Sequence, residues 1–139
     1  MDVDQAAVTA EASAATRAAV LEHVAAFNAH DTDRLLAGLH EDVVWATGSD
    51  LFRGTAQLRD AVFDVGLWEM RPSLAVRTLL VEGGAAAGTF REVFVVGDER
   101  REVDIAVFVT VHDAVIRTVT VFREGSADVE PPRDPGGGG

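Results

Sequence analysis

The apolar residues of this 139-residue chain change their spacing once, near Pro72, and that change constrains the architecture more than any other feature. Before it they recur every three or four residues, as on one face of a helix; after it they alternate. Over Ala12 to His30, the residues Val20, His23, Val24 and Phe27 fall on one stripe and Arg17 and Glu22 off it, which predicts a helix. Asp31 or Thr32 is placed to cap a second, short helix that buries Leu35, Leu36 and Leu39. Asp42 to Thr47 has the β-branched and aromatic content of a strand, broken by Gly48-Ser49-Asp50. A third helix opens near Gly54-Thr55, buries Leu58, Ala61, Val62 and Val65, and ends at Gly66.

Past Pro72 the alternation predicts strands over Leu74–Glu82, Ala87–Val96, Arg101–Val111 and Val115–Arg123. Gly83-Gly84, Gly97-Asp98 and Asp113-Ala114 supply the turns. Three helices followed by an antiparallel meander is an α+β order, in which the sheet lays one face on the helices. Residues 13–124 form the expected domain. Residues 1–12 are expected to be a flexible N-terminus, and 125–139, with three prolines and four closing glycines, a disordered tail. The meander is apolar on both faces: Phe90 and Phe94 oppose Val93 and Val95, and Phe108 opposes Val107. A one-sided sheet would leave one of these rows bare, so a homodimer through the outer sheet face is expected.

Composition narrows the chemistry. With 47% hydrophobic residues the chain can bury a core, roughly two-thirds of its unfolded surface at this length. All twelve basic residues are arginine, so Schiff-base chemistry through a lysine is excluded. Tyrosine and cysteine are also absent, which removes phenolic donors, thiol nucleophiles and thiolate metal sites. A net charge of −11 argues against nucleic acid and anionic membranes as partners, leaving small molecules and other proteins. No apolar run approaches the roughly 20 residues that span a bilayer, and the start is acidic; the cytoplasm is the expected compartment. His23, His30 and His40 lack the tight spacing of metal ligands, so neither metal nor cofactor is expected.

Some polar residues stand out against the apolar pattern. His23 interrupts the apolar stripe of the first helix, either as a core histidine with a partner or as a proton donor or acceptor in a pocket. Asp104 is the only carboxylate inside the strand Val103 to Val111. If the row Val103, Ile105, Val107, Val109, Val111 faces the helices, Asp104 lies outside; if the other row does, Asp104 is a candidate base. Arg91-Glu92 is read as a cross-strand ion pair or a pocket anion clamp. Trp68 and Met70 form a lid or a loop packed on the core.

The order helix, helix, strand, then Leu51-Phe52-Arg53-Gly54 running into Leu58-Arg59-Asp60-Ala61-Val62-Phe63, then the meander through Val103–Val111 and Ile116, resembles the NTF2-like superfamily, and within it the SnoaL-like proteins. The likeness covers about residues 14 to 124. It implies an NTF2-like cone: three N-terminal helices on a strongly curved, mostly antiparallel sheet enclosing a pocket. It places Trp45 and Thr47 inward on the first strand, and His23 and Phe27 where the first helix borders the cone. Ketosteroid isomerases, polyketide cyclases and limonene-type epoxide hydrolases resemble this fold. The isomerases' aspartate base matches Thr47 here, their tyrosine donor matches His23, and the hydrolases' aspartate falls near Val121. The expected catalytic pair is therefore His23 and Asp104, with Trp45, Thr47, Phe27 and Trp68 binding the substrate. The implied function is cofactor-independent acid–base chemistry, of the isomerase, cyclase or hydratase kind, on a neutral apolar molecule such as a polyketide or terpenoid. The alternative is a non-catalytic ligand-binding or dimerising module.

Overall fold

The computed structural model describes residues 3–125. The expected tail beyond them lies outside the described residues. Helix α1 runs Val3–Asn28, nine residues further toward the N-terminus than the apolar stripe indicates. The added turns are rich in alanine, which loses no side-chain entropy in a helix, and residues 5–11 are all exposed, with no buried stripe to betray them. The buried side of α1 is Thr16, Val20, Ala26 and Phe27, and it crosses strands β3 (Ser73–Glu82), β4 (Ala85–Val96) and β5 (Glu99–His112).

Two hydroxyls clip α1 to the β3–β4 turn. Thr16 Oγ1 donates to the Gly83 carbonyl at 2.7 Å, and Ser13 Oγ accepts from the Gly83 N–H at 2.8 Å. The turn is glycine for a steric reason: a Cβ on Gly84 would sit 2.7 Å from the Val111 carbonyl oxygen. That carbonyl belongs to β5, whose Val111 N–H in turn donates to Gly84 O at 2.7 Å.

Helix α2 (Thr32–Ala37) is capped by Asp31, whose side chain accepts from the Arg34 N–H, and it buries Leu35 and Leu36. Leu39, expected in this helix, instead starts strand β1 (Leu39–Thr47), because the backbone at Gly38 and Leu39 is taken up by pairing with β6 (Val115–Arg123). The break at Gly48 is a two-residue hairpin turn into β2 (Asp50–Arg53), a strand too short and too exposed to show in the pattern.

The third helix is also shorter than expected. One α-turn, α3 (Thr55–Leu58), passes into a π-helical turn over Arg59–Phe63, closed by the Asp64 N–H on the Arg59 carbonyl at 2.8 Å. The wider turn inserts a residue, so Leu58 and Phe63, five apart, share the buried face; of the other expected residues Val62 is half-buried against the core, while Ala61 and Val65 are exposed. Val65 is 67% exposed. A 3₁₀ turn, Leu67–Met70, then leads to Pro72.

The six strands form one mixed sheet in the order β2-β1-β6-β5-β4-β3. Only the β1–β6 pair is parallel. On β5 the row Ile105, Val109 and Val111 is buried under the helices, so Asp104 falls on the opposite, outer face. Among the described residues no helix is long and apolar enough to cross a membrane.

Candidate functional site

Between the helices and the inner sheet face lies a cavity of about 130 Å³. Phe27 of α1, Trp45 of β1, Leu58 and Phe63 after β2, and Val119 and Val121 of β6 give it apolar walls. Three polar side chains close one end, near the C-terminal ends of β1 and β6: Thr47, Glu92 and Arg123. Arg123 links the other two. Its Nε donates to Glu92 Oε1 at 3.2 Å and its Nη1 to Thr47 Oγ1 at 2.7 Å. Each comes from the strand parity of its neighbours: Glu92 follows Phe90 inward, and Arg123 follows Val119 and Val121.

Glu92 is a buried carboxylate, its side chain 10% exposed, while Arg123 reaches toward solvent at 40%. The salt bridge therefore sits at the edge of the apolar space, with the carboxylate on its dry side. Glu92 lines the cavity, and its carboxylate accepts from Arg123 through Oε1. A guanidinium has five N–H donors, of which two are engaged here, so Arg123 retains further donors at the same place. A carboxylate and a guanidinium fixed side by side at an apolar cavity can accept a proton and hold a developing negative charge.

A smaller chamber of about 40 Å³ lies beside it, sharing the walls Leu74, Val107 and Val119. The His23 ring borders this chamber and packs on Trp45, with ring centroids 5.4 Å apart. His23 as a residue is half-buried, and its Nδ1 is sealed from solvent without a hydrogen-bond partner among the described residues. Burial pushes the imidazole pKa down to about 4, so the ring is neutral at pH 7.

The structure thus brings together Phe27, Trp45 and Thr47 at the larger cavity and sets His23 behind Trp45. It does not bring Asp104 to them. Asp104 binds Arg91 Nη1 at 3.0 Å on the outer face, with Arg77 at 3.9 Å, and cannot pair with His23. The period of two puts the valine row, not Asp104, against the helices. The same period separates Arg91 from Glu92: Arg91 pairs outward with Asp104 and Glu102, Glu92 inward with Arg123. Trp68 is not part of the cavity wall. Its Nε1 donates to Thr32 Oγ1 at 2.8 Å, and its ring stacks on His30 and packs behind Phe27 and Phe63. An indole that finds a partner for its N–H on α2 becomes a wedge between helices.

Glu92 as an inward carboxylate and Arg123 are the site residues that sequence reasoning missed. Their signal was present in parity: both are charged residues in the buried row of their own strands. It was outweighed because Arg123 ends its strand and Glu92 adjoins an arginine that offered a simpler pair.

No family model matches the sequence, and no curated protein matches it. Solved structures do. A candidate ketosteroid isomerase from Kribbella flavida is 27% identical, with a TM-score of 0.69 over 88% of this chain and 85% of its own. An LEH-like epoxide hydrolase of M. tuberculosis is 19% identical, with a TM-score of 0.72 over 84% of each chain. A candidate SnoaL-like polyketide cyclase from Jannaschia sp. CCS1 is 16% identical, with a TM-score of 0.68 over 86% of this chain and 95% of its own. The chain has the NTF2-like fold, shared with SnoaL-like proteins.

Proposed function

We propose that the protein is an acid–base enzyme acting on a neutral, largely apolar carbonyl compound, with Glu92 as the base and Arg123 as the stabiliser of the oxyanion. The observation that carries this reading is Glu92: a carboxylate whose side chain is only 10% exposed lines an apolar cavity, held there by Arg123 through one of its two oxygens. In the forward step Glu92 takes a proton from the carbon next to the carbonyl. The C–H electron pair moves into the new C=C bond and the carbonyl pair onto oxygen, where the free Arg123 N–H groups hold the enolate. Return of the same proton to a conjugated carbon completes an isomerisation without oxidant or cofactor. Relatives of this fold described as isomerase and cyclase agree with that class of reaction. The acid–base pair expected at His23 and Asp104 is replaced by Glu92 and Arg123, and His23 serves the apolar end.

The test needs no known substrate. Cyclic enones incubated in D2O with the enzyme should exchange their acidic C–H protons, read by NMR, roughly 10²-fold or more faster than with Glu92→Gln. The glutamine keeps a hydrogen-bond acceptor for Arg123 but cannot take the proton. Equal exchange rates for the two proteins would leave the non-catalytic binding module as the better reading.

We also infer that a second copy covers the outer sheet face. Phe108 and Phe122 are 53% and 42% exposed there, edge to face with centroids 6.0 Å apart, and Leu80 is 67% exposed. Apolar groups so placed gain by being covered. Sedimentation at micromolar concentration is expected to give a dimer, and Phe108→Glu a monomer of unchanged circular dichroism. A monomeric wild-type protein would remove this inference.

A further inference from the structure

The dimensions of the two chambers bear on which substrates fit, and the inference rests on the reading of the cavity as a binding site. An engineered apolar cavity of about 150 Å³ holds one benzene ring. The larger chamber here, about 130 Å³, is of that size. The smaller one, about 40 Å³, has room for a short apolar branch and is bordered by Val20, Val24, Phe90, Val109, Ile116 and the His23 ring. Polar groups converge only at the opposite end, where Thr47, Glu92 and Arg123 meet. From these dimensions we infer that the substrate is a single-ring compound, with its carbonyl edge at Glu92 and Arg123 and a short branched alkyl group on the far edge, seated in the small chamber. The neutral His23 ring suits that seat, because an uncharged imidazole beside an alkyl group avoids the cost of burying a charge. A fused four-ring ligand needs several times this space and is excluded.

Calorimetric titration of the full chain tests this with three probes: cyclohexenone, its 4-isopropyl derivative, and a four-ring 3-keto steroid. The isopropyl compound is expected to bind at least about tenfold more tightly than cyclohexenone, since three further carbons leave water. The steroid should not displace it. Val24→Phe, which fills the small chamber from α1 without contacting Glu92 or Arg123, should abolish the advantage of the branch and spare cyclohexenone binding. A steroid that binds as well as the isopropyl compound, or a branch that adds nothing in the wild-type protein, overturns the inference even if Val24→Phe fails to fold. Binding in the expected order without proton exchange would uphold the chamber sizes and sink the acid–base reading instead. If no probe binds, both fall together.

Discussion

Replacing Arg123 with methionine is expected to lower the unfolding free energy by about 2–3 kcal/mol, measured by urea denaturation at pH 7. The reason is what it leaves behind. The Glu92 side chain is 10% exposed, and its Oε1 loses the Arg123 Nε donor at 3.2 Å. An uncompensated carboxylate against apolar walls costs about 3–5 kcal/mol when fully buried. Because Arg123 is 40% exposed and water can approach from its side, the expected loss falls to the bottom of that range and below it. Thr47 also loses the Nη1 donor at 2.7 Å, a smaller contribution. Replacing Glu92 with methionine in the same chain should recover most of the loss, because the apolar cavity then holds no charge. The double-mutant cycle accordingly gives a coupling of the order of 1–3 kcal/mol. If the two changes simply add, the pair is not a structural unit.

The second large effect is the pH dependence that His23 imposes. Its folded-state pKa is depressed by burial from 6.5 to about 4, so the native protein binds fewer protons than the unfolded chain between those values. The contribution of the neutral ring is complete above about pH 6.5 and is lost as the pH falls toward 4. One pKa unit is 1.36 kcal/mol, so the loss amounts to about 2–3 kcal/mol after allowance for the residue being only half-buried. Glu22, whose pKa the Arg34 hydrogen bond lowers, also loses its contribution as the pH falls, which is why the comparison matters. His23→Gln removes this titration alone and should give a stability curve flatter by that amount between pH 6.5 and 4.5. His23 Nδ1 has no hydrogen-bond partner for the substitution to remove, so stability at pH 7 should change little. Parallel curves for the two proteins would show that His23 is not buried neutral.

The four strands of the meander were legible because alternation reports a two-faced environment directly. Observed ends differ from the expected ones by at most two residues, as at β4, which starts at Ala85 instead of Ala87. Helix α1 was legible where it buries a stripe and silent where it does not. Trp45, Thr47 and Phe27 reached the cavity because a resemblance in order and spacing supplied the register that composition cannot. The π-helical turn at Arg59–Phe63 was illegible: sequence spacing assumes 3.6 residues per turn, and packing of Phe63 against Trp68 at 5.5 Å accompanies the wider winding.

Local periodicity and composition by themselves determined the class of architecture, the positions of the four meander strands, and the chemistry that lysine, tyrosine and cysteine could not supply. Such properties depend on near neighbours in the chain, and period and residue type record them. Which face of each strand meets the helices is not a local property. A shift of one residue in the pairing exchanges every inward side chain for its neighbour. Tertiary packing made that choice. It turned Asp104 out toward Arg91, turned Glu92 in toward Arg123, and brought Thr47 from β1 within 2.7 Å of a guanidinium 76 residues away in sequence.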